Sequence, residues 1–234
     1  MSLRQRIATP EGKRRYVRTL FATIADRYDL ITRLLSYGQD RRWKRRLVAM
    51  AAPRPGMRAL DLATGTGDIA FALAAAGADV IGLDVTRRMI ELARAKASPP
   101  APRFLVGDML ALPFAAQSFD VITTGYGLRN VPDLTTAIDE MRRVLKPGGR
   151  VLSLDFDRPQ QPLIRTAYLV YLSIVGGAVG WVLHRDPDTY RYIPESIRNY
   201  PGAAAVAGML EARGFARARH HRVLGGLMAI HDAD

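Results

Sequence analysis

The chain has 234 residues, 48% of them hydrophobic, which suits one α/β domain with a substantial core and excludes disorder. It contains no cysteine, so disulfides and thiolate metal sites are excluded, and its four histidines, His184, His220, His221 and His231, show no metal-ligand spacing. The net charge of +12, from 34 Lys+Arg against 22 Asp+Glu, either favours anionic surfaces such as nucleic acid or acidic lipid, or simply solvates an Arg-rich exterior.

Residues 1–12 are polar and read as a mobile lead. No charged-then-apolar signal segment opens the chain, so a cytoplasmic enzyme is expected. Val17, Leu20, Phe21, Ile24 and Tyr28 recur at helical spacing and predict a helix over about 13–28, ended by Tyr28-Asp29. A second short helix carries Trp43 and Leu47 within the basic run Arg41-Arg42-Trp43-Lys44-Arg45-Arg46. Pro53-Arg54-Pro55-Gly56 is a turn, and the first strand follows at 57–62.

That strand leads into Asp61-Leu62-Ala63-Thr64-Gly65-Thr66-Gly67-Asp68, an apolar strand with an acid near its end, a two-glycine turn and a helix start. Such a turn lets a ligand approach the main chain, and a helix start offers unpaired N–H groups. Gly65, Gly67 and Ala70 fit the dinucleotide spacing, and Asp84 closes the next strand where a ribose-binding acid belongs. Asp61 tips the reading away from pyrophosphate, which it would repel. It suits a cationic ligand such as S-adenosylmethionine, with its ammonium and sulfonium.

The remainder alternates strand and helix, which predicts a doubly wound α/β sheet with parallel strands. Thr86 is placed to cap a helix through about Ala97. Phe104-Leu105-Val106 forms a third strand ending at Gly107-Asp108, and Phe119–Thr124 a fourth. Asp133 opens a helix to Leu145, Lys146-Pro147-Gly148-Gly149 stops it, and residues 151–155 form a fifth strand. Thr166–Leu183 is an 18-residue stretch without charge, at the lower limit for a membrane span. Its place inside the α/β repeat favours a lid or interfacial helix, bent at Gly176, Gly177 and Gly180, with Leu163, Tyr168, Leu169, Leu172 and Val175 as an apolar wall. Ala203–Arg213 reads as a helix, and residues 215–223 and 227–231 as a closing antiparallel hairpin.

Asp61 with Gly65 and Gly67, Leu112-Pro113-Phe114 with Ser118-Phe119-Asp120, and Val144 through Gly149 together resemble the motifs of class I S-adenosylmethionine-dependent methyltransferases. Three narrower stretches resemble the ubiquinone/menaquinone biosynthesis C-methyltransferases (the UbiE/MenG family). They are Tyr28-Asp29-Leu30 with Ser36-Tyr37-Gly38 and Arg42-Trp43-Lys44-Arg45, then Gly127-Leu128-Arg129-Asn130-Val131, then Tyr190-Arg191-Tyr192 with Glu195-Ser196-Ile197-Arg198. The similarity covers about residues 15–231. It implies a Rossmann-like, mostly parallel seven-stranded sheet with N-terminal helices and a helical lid insertion. The segments are then a helical cap over 1–56, a cofactor-binding core over 57–158, a lid over 159–200, and a closing helix and hairpin over 201–234, within one domain. It also implies C-methylation of a polyprenylated quinol ring. Two departures stand out: the chain ends His231-Asp232-Ala233-Asp234 where the family often ends basic, and Gly125 replaces a frequent small hydroxyl residue.

Resemblance and chemistry together assign the sites. Asp61 faces the methionyl ammonium, and Gly65, Thr66 and Gly67 give the backbone access. Asp84 takes the ribose hydroxyls, Asp108 the adenine amino group, Gly107 gives clearance, and Gly125 lies beside them. For catalysis, Arg129 stays protonated and so holds a phenolate or a water, Asn130 positions that water, and Tyr28 closes over the methyl side. Asp155 is the leading candidate base and His231 the second. No metal is expected. The partners expected are the quinol and, transiently, an acidic membrane surface on the inner face of the cell membrane, with homo-oligomers left open. The competing readings are a methyltransferase for another phenolic or lipid-like acceptor, a nucleic-acid methyltransferase and a dinucleotide-binding module. The absence of a flipped-base motif and of cysteine weighs against nucleic acid.

Overall fold

The computed structural model describes residues 3–36, 38–99, 101–159, 161–186 and 188–234; Tyr37, part of one family motif, lies outside them. The N-terminal segment is helical from the first described residue: α1 spans Leu3–Arg6 and α2 spans Pro10–Ile24. The expected mobile lead is therefore corrected for residues 3–12. Thr9 caps α2 by accepting from the Gly12 N–H at 3.1 Å, and Pro10 pre-sets the first helical φ. A single 3-10 turn, Ala25–Arg27, breaks the predicted long helix. Tyr28 starts the next helix, α3 (Tyr28–Leu35), instead of ending the previous one. The helix carrying Trp43 and Leu47 is α4, Asp40–Ala51.

The alternating core follows as β1 (Arg58–Leu62), α5 (Asp68–Ala75), β2 (Asp79–Asp84), α6 (Arg87–Lys96) and β3 (Arg103–Val106). It continues with β4 (Phe119–Gly125), α7 (Leu134–Val144) and β5 (Leu145–Phe156). Asp133 caps α7 by accepting from the Thr136 N–H. The chain closes with α8 (Pro162–His184), α9 (Asp188–Asn199), α10 (Ala203–Ala212), β6 (Ala218–Val223) and β7 (Met228–Ala233). The seven strands order as β3-β2-β1-β4-β5-β7-β6, parallel except where β7 pairs antiparallel with β5 and β6.

Side-chain alternation splits the core between the two sheet faces. Leu60, Leu62 and Ile122 pack with Ile138, Met141 and Leu210 on one face. Ala59, Val121 and Leu152 pack with Leu47, Leu73 and Ile90 on the other. A third cluster joins Val17, Leu20, Ile24 and Ile31 to Tyr190 and Tyr192, so α2, α3 and α9 form a cap beside the sheet. The strand order reverses between β1 and β4, and a crevice opens at their carboxyl ends, where such sheets take ligands.

The uncharged stretch departs from expectation. It lies in one continuous 23-residue helix, and the glycines do not interrupt it. A Cβ on Gly176 would lie 3.1 Å from the Tyr190 carbonyl oxygen, so glycine there lets α9 approach α8 closely. Leu169 and Leu172 are buried against Ile197, whereas Leu163 is 82% exposed and cannot wall a pocket.

Candidate active site

The turn after β1 is wound by three left-handed residues, Ala63 (φ +50°), Gly65 (φ +56°) and Gly67 (φ +92°). Tyr126, at the end of neighbouring β4, is also left-handed, at φ +62°. Strained non-glycine residues on adjacent strand ends mark a site over-determined by its surroundings.

Three cavities meet there. The first, a cleft of about 730 Å³, is lined by Gly65, Asp84, Gly107, Asp108, Gly125 and Asn130, with Arg14 and Arg18 at its exposed side. Asp84 accepts from the Gly65 N–H at 2.9 Å and the Thr86 N–H at 2.8 Å, which fixes both carboxylate oxygens and leaves lone pairs facing the cleft. Asp108 serves as a turn cap through the Leu110 N–H at 2.9 Å, while its other oxygen lies 3.7 Å from Arg14. A Cβ on Gly107 would meet Leu83 at 2.8 Å, and one on Gly125 would meet Ile69 at 2.7 Å. Gly67 lines none of the three cavities. A Cβ there would collide with Phe71 and Phe104, so its glycine serves packing beneath the turn.

The second, a chamber of about 290 Å³, abuts the first and holds Asp61, Thr66, Lys44 and Asp68. Asp61 is fully buried, and accepts from the hydroxyls of Thr64 at 2.6 Å and Thr123 at 2.7 Å. Thr123 is its register partner on β4, so the sheet itself aims the pair. Burial pushes the Asp61 carboxyl up to about 6, against these two donors. Thr66 donates to Asp29 of α3 at 2.6 Å, tying the glycine turn to the cap.

The third is the largest and most apolar, at about 1140 Å³. α2 and α3 supply Leu20, Ile24 and Ile31, α8 supplies Tyr168 and Leu172, and α9 supplies Tyr192. Phe21, Tyr28 and Tyr126 line both this cavity and the first cleft. Arg129 is the single charged side chain among its described lining residues.

Arg129 is itself buried, with its Nε 3.0 Å from Asp155 Oδ1. Its Nη1 donates to Ser196 Oγ at 2.7 Å and to Asn130 Oδ1 at 3.2 Å, and the guanidinium lies over the Phe156 ring at 4.9 Å. Lys13 of α2 donates to the carbonyls of Arg129 and Val131 at 3.0 and 2.7 Å, clamping the turn from outside. Asp155 accepts from the backbone N–H groups of Arg129 and Phe156 and lines none of the three cavities. Burial raises its pKa while Arg129 opposes the shift. His231 stands apart on β7, bonded through Nε2 to the Ala203 carbonyl at 3.0 Å, with its pKa lowered by burial. Both candidate bases are thus kept out of the cavities by the fold, Asp155 as the partner of Arg129 and His231 under α10. Tyr28 is partly buried between the cavities, and desolvation raises its pKa, so its hydroxyl stays protonated near neutral pH.

Of the sequence-predicted cofactor set, the structure brings Gly65, Asp84, Gly107, Asp108 and Gly125 to the first cleft, and Asp61 and Thr66 to the adjoining chamber. Sequence reading passed over Tyr126, Lys13 and Lys44. Lys44 lies within the basic run, where its side chain resembles its solvated neighbours.

The raised Asp61 carboxyl carries a pH dependence. Its folded value lies above the usual unfolded 3.8, so the protonated form favours the fold, and that contribution is lost as pH rises through about 6. A cationic ammonium requires the anion, so affinity for S-adenosylhomocysteine should rise from pH 5 to about 6.5 and then level. Calorimetry across pH 5–8 checks this, and Asp61→Asn should both weaken binding and flatten the profile.

A sequence profile of the ubiE/COQ5 methyltransferase family matches residues 9–234. A demethylmenaquinone methyltransferase of Thermus thermophilus is 42% identical over 219 residues, covering 92% of this chain and 99% of the relative. A ubiquinone/menaquinone biosynthesis C-methyltransferase UbiE of Acidiphilium cryptum is 40% identical over 228 residues, 95% of this chain and 92% of its own. In fold, a SAM-dependent methyltransferase from Thermotoga maritima superposes with a TM-score of 0.64 at 19% identity, over 93% of this chain and 98% of that one. With the profile spanning the strand ends that build all three cavities, the chain belongs to the ubiE/COQ5 methyltransferase family.

Proposed function

We propose that this methyltransferase transfers a methyl group from S-adenosylmethionine to a ring carbon of a polyprenylated quinol, as in converting a demethylmenaquinol to a menaquinol or in the equivalent benzoquinol step. The observation that carries the reading is the third cavity. It is large and aromatic-walled, it adjoins the cofactor cleft across Phe21, Tyr28 and Tyr126, and Arg129 is its one charge among the described lining residues. An apolar ring that ionises at one hydroxyl matches that lining.

The cleft and chamber fit the cofactor. Asp61 is a buried anion, Asp84 and Asp108 present acceptor oxygens, and Gly107 and Gly125 sit where a Cβ would collide with Leu83 of the cleft and Ile69 of the chamber. Asp84 then takes the ribose hydroxyls, Asp108 the adenine amino group, and Asp61 the ammonium. When bound, the cofactor supplies an electrophilic methyl group.

The protein's own task is to make the ring carbon nucleophilic. A phenol with pKa of roughly 10 must lose its proton before charge reaches the ortho carbon. Arg129 lowers that pKa by placing a fixed cation in an apolar cavity, where it acts at low dielectric. The hydroxyl proton leaves to water, which Asn130 orients from the cleft side; once the ortho carbon carries the methyl group, the proton on that carbon is lost and the hydroxyl re-forms as the ring regains aromaticity. Asp155 and Ser196 hold the guanidinium, so no rearrangement is needed when the phenolate forms. Tyr28, Tyr126 and Phe156 keep the site dry and align the ring.

The tail suggests where the enzyme works. Leu163, Val170, Ile174 and Trp181 form one line along the outer face of α8, and Leu163, Ile174 and Trp181 are each more than three-fifths exposed. Tyr171 on the same helix and Leu224 of the β6–β7 turn are exposed and line the cavity, so they carry the apolar surface to its rim. α8 is long and apolar enough by length and composition to cross a membrane, with a mean hydropathy of 1.7. Its glycine face is occupied by α9, which favours a helix lying in the bilayer interface of the inner membrane face. Exposed Arg33 and Arg185 add attraction to acidic lipid.

The test is a mass-spectrometric assay of quinol methylation on anionic vesicles. The wild type should methylate a long-tailed demethylquinol, and a folded protein that methylates only water-soluble phenols refutes the reading. Ile174→Asp with Trp181→Asp should lower vesicle binding and long-tailed turnover by about tenfold while sparing a short-tailed substrate.

A further inference from the structure

The small chamber contains a cation that the assignments above leave unused. Lys44 lies on α4, one turn past Asp40, and its side chain is only 12% exposed. Its Nζ lies 2.7 Å from Asp40 Oδ2 and 2.9 Å from Asp68 Oδ2. Asp40 in turn accepts from the Tyr126 hydroxyl at 2.6 Å, so the ammonium is anchored to the residue that walls the cofactor cleft. The Tyr126 ring lies beneath Nζ at 5.9 Å. Among the described residues lining the chamber, Lys44 is the single cation.

A lysine ammonium has three donors, and two are engaged here. A salt bridge between α4 and α5 needs only those two, and it needs no position on a cavity wall. The chamber shares Tyr28, Ala63, Gly125 and Tyr126 with the cleft, so it receives the end of the cofactor that extends away from the adenosine. That end is zwitterionic, with an ammonium and a carboxylate. Asp61 answers only the first.

We propose that Lys44 binds the carboxylate of the cofactor's methionyl end through its third N–H. The chamber then reads both charges of an α-amino acid, with Asp61 as the fixed anion and Lys44 as the fixed cation. Asp40 and Asp68 set the direction of the ammonium and keep it charged. The net charge of the chamber remains negative, which matches a ligand whose sulfonium and ammonium outweigh its carboxylate. Specificity follows: adenosine ligands without the amino-acid end bind by the cleft alone and gain nothing from Lys44.

The inference rests on the cofactor reading, and the experiment separates the two. Calorimetry on the full chain compares S-adenosylhomocysteine, its carboxyl methyl ester and 5′-methylthioadenosine, for the wild type and Lys44→Met. In the wild type, esterification should weaken binding about tenfold or more, the scale of one charge-assisted hydrogen bond. In Lys44→Met, the acid should lose the same factor, the ester should bind as it does to the wild type, and methylthioadenosine should be unchanged within about twofold. Lys44→Arg should recover most of the acid's affinity. Equal losses for all three ligands would show a purely structural role and overturn the proposal, as would an unchanged affinity for the acid. If Lys44→Met does not fold, the wild-type comparison decides alone: an ester binding as tightly as the acid overturns it. Failure of methylthioadenosine to bind the wild type would instead refute the cofactor cleft itself.

Discussion

Arg129→Lys is expected to lose about 10²- to 10⁴-fold in turnover while its affinity for S-adenosylhomocysteine stays within about threefold. The guanidinium makes an ion pair with Asp155, donates to Ser196 and Asn130, and stacks on Phe156. Lysine keeps the charge, but has neither the planar fork nor the reach to fill those contacts together. Two hydrogen bonds to a charged group at roughly 1.5–3 kcal/mol each set the scale of the loss. Arg129 lines the apolar cavity and not the cofactor cleft, so cofactor affinity should be spared. Single-turnover kinetics with a quinol and parallel calorimetry check both halves. Turnover near that of the wild type would remove Arg129 from the chemistry.

Asp155→Ala should act chiefly on stability. The carboxylate is 1% exposed and accepts two backbone N–H bonds in addition to the ion pair. Its removal leaves the Arg129 cation buried without a counter-charge, which costs about 3–5 kcal/mol. For a chain of this size each kcal/mol moves Tm by about 2–4 °C, so a fall of about 6–20 °C is expected by calorimetry. Asp155→Asn keeps the shape and the acceptor and should fall less. Were Asp155 instead a base acting from outside the fold's packing, both variants would keep their Tm and lose turnover equally.

The sheet and the cofactor cleft were legible because their signals are contiguous. Asp61 through Asp68 carries strand end, turn and helix start within eight residues, and Asp84 and Asp108 each close a strand of their own. The apolar cavity was not legible. Its walls come from α2, α3, α8, α9, the turn at Arg129 and the closing hairpin, and each contributes residues indistinguishable from core. Val17, Leu20, Phe21 and Ile24 announced a helix, but not that part of its buried face borders empty space. The orientation of α8 was hidden for a related reason. It is apolar nearly all round, so no polar face distinguishes the side on α9 from the side that carries Ile174 and Trp181. Asp155 read as a free acid at a strand tip, because its pairing with Arg129 spans 26 positions of sequence.

The partition formed by Phe21, Tyr28 and Tyr126 has a kinetic consequence. The chambers on its two sides open differently, one past Arg14 and Arg18, the other past Tyr171 and Leu224. One doorway is ionic and faces water; the other is greasy. On the proposed reading, spent donor can leave by the ionic doorway while the acceptor stays in the apolar chamber, so neither ligand has to wait for the other to vacate. An enzyme built this way is expected to add its two ligands in either order, which initial-rate kinetics varying both ligands checks.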